Sequence, residues 1–154
     1  MKKKSLLIGM AALIFPMTMM GQYTIYPVPH TQTAGTGTVS FTNIVNVVCD
    51  NGIDEATRNR VKDIFAAHNV TVTFSDAASS TESNVYLGVN GANGQGNAMA
   101  TQLGLSTDVL TKEGKFDRHI LSLTDGGNGT AQLLVLGENT DATFFGLASL
   151  EQML

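Results

Sequence analysis

Residues 132–154 (QLLVLGENTDATFFGLASLEQML) constrain the fold most, because they form one continuous strand–turn–helix unit whose helix has almost no polar face. Residues 132–136 are short and apolar, which suits a buried strand. Gly137 breaks the run. Asn139, Thr140 and Asp141 are all residue types whose side-chain oxygen accepts from the free amides of a first helical turn. In the helix that follows, Ala142, Phe144, Phe145, Gly146, Leu147, Ala148, Leu150, Met153 and Leu154 are apolar or small. At about 100° per residue these positions run nearly all the way round. A surface helix shows one apolar stripe, whereas one that is apolar on most sides is covered on most sides. The pattern runs to Leu154 without a Gly or Asn to close it. The expectation is a helix that packs on something this chain does not contain, or stays partly uncovered. Phe144, Phe145, Ala148 and Met153 are the candidate interface residues.

The remaining composition narrows the class. With 154 residues the chain is long enough for one domain. Lys2, Lys3 and Lys4, an apolar run over residues 6–15 and a small residue at Gly21 have the layout of a signal peptide over residues 1–22. The apolar run is short for a membrane span, and no Cys follows it closely. The expected location is therefore secreted or periplasmic, with no membrane partner after cleavage near Gly21. Removing residues 1–22 takes away three of nine basic residues and none of the thirteen acids, which leaves a net charge of −7. Such an acidic balance, without a basic cluster, argues against nucleic acid as a partner. A single cysteine, Cys49, cannot close an intrachain disulfide, and its apolar surroundings in sequence suit a small buried hydrophobe.

Along the chain, Pro27 and Pro29 hold residues 23–30 extended. Residues 39–49 read as a strand that ends buried on both faces, closed by Asp50, Asn51 and Gly52. Asp54 caps a helix to about Ala67, with Val61, Ile64, Phe65 and His68 as its core stripe. Residues 70–74 (VTVTF) alternate as a strand, which makes a βαβ unit with parallel strands. A polar linker over 76–83 precedes a strand at 84–89. Gly91, Gly94 and Gly96 have neither a Walker nor a dinucleotide spacing and carry no Lys, so this segment reads as a flexible surface loop. A short helix is expected at 98–105. Residues 116–123 alternate as a strand, with His119 and Ile120 on opposite faces, and turn through 125–129 into the strand at 132–136. The run DGGNG has one carboxylate and no closing Glu, so it is turn chemistry and not a calcium loop. Two sequons, at Asn69 and Asn128, matter only in a eukaryotic secretory route.

No catalytic constellation emerges. There is no Gly-x-Ser-x-Gly elbow, no His-x-x-x-His and no Cys-x-x-Cys. His30 has no ligand partner at metal spacing. The one adjacent pair of acids, Asp54-Glu55, opens a helix, where cap and dipole account for it. No catalytic residue, cofactor or metal is assigned.

The closing unit resembles the end of the N-terminal, non-catalytic domain of secreted bacterial β-N-acetylhexosaminidases and hyaluronidases of glycoside hydrolase families 20 and 84. The residues that carry the resemblance are Gly137, Thr140, Asp141, Phe144, Phe145, Gly146, Ser149, Leu150, Gln152 and Met153. The opening segment YTIYPVPH is similar to the Pro-x-Pro start of the same domain, and Phe116, His119, Ile120, Leu121 and Leu123 roughly fit its hairpin. The resemblance implies an α/β sandwich over residues 23–154, a mixed sheet of about five strands with two main helices packed on it. It also implies a (β/α)8 catalytic barrel as partner, in cis in the parent enzyme or in trans, with the helices between sheet and barrel. In such enzymes the substrate's acetamido oxygen is the nucleophile, steered by a carboxylate pair on the barrel. That pair is not in this chain. The expected function is an accessory domain of an enzyme acting on N-acetylglucosamine-containing glycans, present without its barrel and inactive alone. The alternative is a free-standing protein- or glycan-binding module that docks through its C-terminal helix.

Overall fold

A computed structural model describes residues 25–26, 28–35, 37–114 and 117–154. The signal-peptide assignment, Pro27 and Phe116 lie outside these described residues. In chain order the elements are β1 (Ile44–Cys49), α1 (Glu55–Ala67), β2 (Thr71–Ser75), β3 (Ser83–Val89), α2 (Gln95–Gln102), a 3-10 turn (Asp108–Thr111), β4 (His119–Gly127), β5 (Thr130–Gly137) and α3 (Thr140–Glu151). The five strands form one sheet in the order β2-β1-β3-β5-β4. β2, β1, β3 and β5 are parallel, and β4 returns antiparallel along β5. This is the mixed five-stranded α/β sheet that the sequence implies.

Burial on both faces explains why the central strands are continuous apolar runs. On one face Val45, Val47, Val85, Leu87, Leu133 and Val135 meet Val61, Ile64 and Phe65 of α1 and Leu147 and Leu150 of α3. On the other, Val48, Tyr86, Leu134 and Leu136 meet Met99 and Ala100 of α2 and Leu110 of the 3-10 turn. The expectation of two main helices is met on the first face; α2 is a third, on the opposite face, and it starts three residues before the expected position.

Three local differences have physical causes. Residues 39–43 do not extend β1. Thr42 is instead tied to β3, its amide donating to Ser83 Oγ at 3.0 Å and its Oγ1 accepting from the Ser83 amide at 2.8 Å. His68 leaves the core stripe of α1: it is the C-cap, exposed, because Asn69 turns the chain at φ 60°. The hairpin is tighter than the Gly-rich run suggests. Pairing continues to Gly127↔Thr130, and only Asn128 (φ 53°) and Gly129 (φ 76°) make the turn. Two successive left-handed residues match the twist of the strands.

The polar segment of residues 76–82 crosses from β2 to β3 over β1, and two buried asparagines hold it. Asn46 Nδ2 donates to the Ala77 carbonyl at 2.9 Å and to Asn84 Oδ1 at 3.0 Å, while Asn84 Oδ1 accepts from the Ser79 amide at 2.7 Å. Each of these amides is buried and would be costly there without partners.

Candidate interdomain interface

α3 is positioned by small residues. Asn139 caps it, its side-chain oxygen accepting from the Ala142 amide at 2.8 Å. Thr143 Oγ1 donates to the Gly88 carbonyl at 2.7 Å and accepts from the Gly137 amide at 3.2 Å, which fastens the first turn to β3 and β5. At Gly146 the helix lies so close to the sheet that a Cβ would stand 2.5 Å from Val135 Cγ1 and 3.2 Å from His119 Cδ2. His119 is half-buried beneath the helix. Its Nε2 lies 3.4 Å from Ser149 Oγ and its Nδ1 3.3 Å from the Asp117 carbonyl. Burial pushes the His119 pKa down, and the bond to Asp117 partly offsets this.

With that face on the sheet, the helix is covered on fewer sides than its composition suggests. Ala142, Thr143, Gly146, Leu147 and Leu150 are buried. Phe145 points outward and is 49% exposed. Phe144, Ala148 and Met153 are half-buried. Phe144 is shielded by α1: the Arg60 guanidinium lies 4.9 Å from its ring centroid, and Arg60 pairs with Glu151 at 2.8 Å. Together α1 and α3 border an open groove of about 430 Å³ lined by Asn59, Arg60, Asp63, Phe144 and Glu151. The end of α3 also holds the N-terminal segment. Gln152 accepts from the Tyr26 amide at 2.8 Å and donates to the Tyr26 carbonyl at 2.9 Å, leaving Tyr26 and Val28 exposed beside the helix. Sequence reasoning placed Tyr26 and Gln152 in separate motifs; only the fold brings them together.

The carboxyl ends of the parallel strands are where α/β proteins hold phosphates and other anions on helix N-termini. Here the N-termini of α1, α2 and α3 are each closed by the chain itself. Asp54 accepts from the Thr57 amide at 2.8 Å, a bond that also holds its carboxyl below the usual range. Asn139 closes α3. For α2 the cap comes from a distance. Its N-cap is Gly94, which has no side chain to offer, and Asp50 at the end of β1 accepts from the Gly96 amide through both carboxylate oxygens at 3.2 and 3.3 Å. The segment expected to be a flexible loop is therefore packed closely: a Cβ on Gly94 would lie 2.1 Å from Asp50 Oδ1, and one on Gly96 would lie 2.7 Å from Gly88 Cα. An N-cap glycine followed by no local acceptor is the signal that a distant one was needed.

Other candidate chemistry is dispersed. His68 and His30 are exposed on separate elements. Cys49 is half-buried, and desolvation pushes its thiol up, away from a reactive thiolate. Among the described residues no three His, Cys, Asp or Glu side chains are grouped to hold a metal ion, and no helix is long and apolar enough to cross a membrane.

The chain was compared with known proteins. No curated protein matches it. Among solved structures, that of CpGH84D superposes with a TM-score of 0.76 at 28% identity, covering 86% of this chain and 21% of the CpGH84D chain. The present chain thus spans about a fifth of that protein. The family model described as glycosyl hydrolase family 20, domain 2, matches residues 22–154. The chain belongs to that family, the accessory second domain of family 20 glycosyl hydrolases.

Proposed function

We propose that the chain is exported and serves as the accessory domain of a glycoside hydrolase acting on N-acetylglucosamine-containing glycans, docking a (β/α)8 catalytic domain on the outer face of α1 and α3. The observation that carries this reading is Phe145. It is half-exposed in the middle of a helix whose other large apolar side chains are half-buried or buried, within a domain whose family match spans nearly the whole chain. An exposed aromatic side chain at the centre of a helix face is a common anchor of a protein interface. Ala148, Phe144 and Met153 extend the surface, and Tyr26 and Val28 adjoin it through the Gln152 clasp. The adjacent acids Asp54 and Glu55 sit at the start of α1, where Asp54 is the N-cap.

The test is binding in trans. A catalytic domain from a family 20 or family 84 enzyme, prepared without its accessory domain, is titrated with the purified chain and with Phe145→Asp. Saturable binding that the variant loses is expected, with no turnover of a chromogenic N-acetylglucosaminide by the chain alone. Turnover that survives purification, or binding indifferent to Phe145, overturns the reading.

A further inference from the structure

The opposite end of the sheet carries a feature that docking through α3 does not use. β2 is an edge strand, with β1 on one side and no strand among the described residues on the other. Its sequence, Thr-Val-Thr-Phe-Ser, is β-branched, and it contains no proline and no charge. Edge strands of this kind present a row of free backbone donors and acceptors that an extended chain can pair with.

α1 runs alongside this edge on the face to which Val72 and Phe74 point. Arg58 and Lys62, one turn apart, both lie over the Phe74 ring, at 5.6 and 5.2 Å from its centroid. Below them an open groove of about 470 Å³ is lined by Lys62, Ala66, Asn69, Val70, Thr71 and Val72. Ala66, Val70 and Val72 give it apolar surface and Lys62 a cation, with Arg58 one turn away over Phe74. In a molecule of net negative charge this is a local reversal of sign. Arg60 and Arg118 are paired with Glu151 and Glu138, whereas Arg58 and Lys62 form no ion pair among the described residues.

We propose that the β2 edge is a second binding site, which takes an extended polypeptide strand with an apolar and an acidic residue two positions apart, on the same face. A strand added at the usual spacing of about 4.8 Å would continue the sheet. Every second side chain would then fall beside α1, with an apolar one against Ala66, Val70 and Val72 and a carboxylate against Lys62 and Arg58. The charge argues against a second copy of this chain as occupant. Its own β2 carries no carboxylate, and it would bring another Arg58 and Lys62 to the same place. This inference is independent of the α3 interface.

The test uses the purified chain and two peptides labelled with fluorescein at the N-terminus, Thr-Val-Thr-Glu-Thr-Val-Thr-amide and its counterpart with Glu replaced by Lys, which put Val and the charged residue on the same face, titrated by anisotropy. The acidic peptide is expected to bind at least about tenfold tighter than the basic one, with affinity falling as salt rises. Lys62→Glu should cost about tenfold for the acidic peptide, and Arg58→Glu/Lys62→Glu together should reverse the preference. Amide chemical shifts should move along residues 71–75 on binding. Lys62 is exposed, and an unchanged melting temperature checks that its variant keeps the fold; Lys62→Gln, expected to weaken binding less, provides a second measure. Failure of both peptides to bind, equal binding by both, indifference to Lys62→Glu, or self-association of the chain through β2 would each overturn the proposal.

Discussion

Replacing Gly96 by alanine tests the packing of α2 through the sign of its effect. Helix propensity alone predicts a gain of up to about 1 kcal/mol, because alanine is the better helix former. The structure predicts a loss. The new methyl group would stand 2.7 Å from Gly88 Cα, 2.8 Å from Asp50 Oδ2 and 3.2 Å from Leu136 Cδ1. Carbon pairs prefer about 3.5–4.0 Å, so the helix start must retreat by close to 1 Å. Gly88 cannot yield by a side-chain rotation, because the obstacle is its backbone in a central strand. Retreat also lengthens the hydrogen bonds from the Gly96 amide to Asp50, already 3.2 and 3.3 Å, and loosens Met99 and Ala100 in the second core. Overpacking costs about 1–3 kcal/mol and a lost cap about 1 kcal/mol. Against the propensity gain, a net loss of about 1–3 kcal/mol remains. Urea unfolding of the wild type, Gly96→Ala, Asp50→Asn and the double variant measures it. Asp50→Asn alone should cost about 0.5–1 kcal/mol by weakening the charge at the helix start. The double variant should be non-additive, since both changes act on one contact. A Gly96→Ala protein as stable as the wild type, or more so, would refute the account of why this segment is rich in glycine.

Three further outcomes follow from the geometry around α3. His119 has a depressed pKa when folded, so between that value and about 6.5 the unfolded chain binds the extra proton. Its contribution to stability is thus complete above about pH 6.5 and is lost as the pH falls below it; His119→Gln should flatten that part of a melting-temperature profile. Phe145→Ser should cost about 1 kcal/mol, because the side chain is half-exposed and gives up its edge contact with Phe144, while lowering hydrophobic-dye fluorescence and self-association. Gln152→Ala removes both bonds to Tyr26, so amide exchange and proteolysis should accelerate in residues 25–30 but not in the sheet.

Much of this architecture is legible from local chemistry. Strand β5, the break at Gly137 and a helix start among Asn139, Thr140 and Asp141 are read directly from residue types, because capping and β-branched or apolar runs act over a few residues; the structure selects Asn139 as the cap. The α1 stripe of Val61, Ile64 and Phe65 and its Asp54 cap are read in the same way. The resemblance of the closing unit, borne by Gly146, Ser149, Leu150 and Gln152 among others, carried the family. What misled was also local: His68 continues the period of α1, but Asn69 ends the helix and leaves it in solvent.

The sequence by itself determined the succession of elements, the buried character of the central strands, the family and the lack of a catalytic motif. Tertiary structure decided which apolar residues remain outside. A helical wheel of α3 is apolar on most sides, but only the approach to β4 and β5 permitted by Gly146 selects the buried side, and only Arg60 from α1 covers Phe144, so Phe145 is left exposed. It also joined Asp50 to Gly96, 46 residues apart, and Tyr26 to Gln152, 126 apart. Spacing in sequence carries no information about such pairs. Periodicity reports the preferences of one segment, whereas burial and capping at a distance depend on where the sheet order β2-β1-β3-β5-β4 sets the segments against each other.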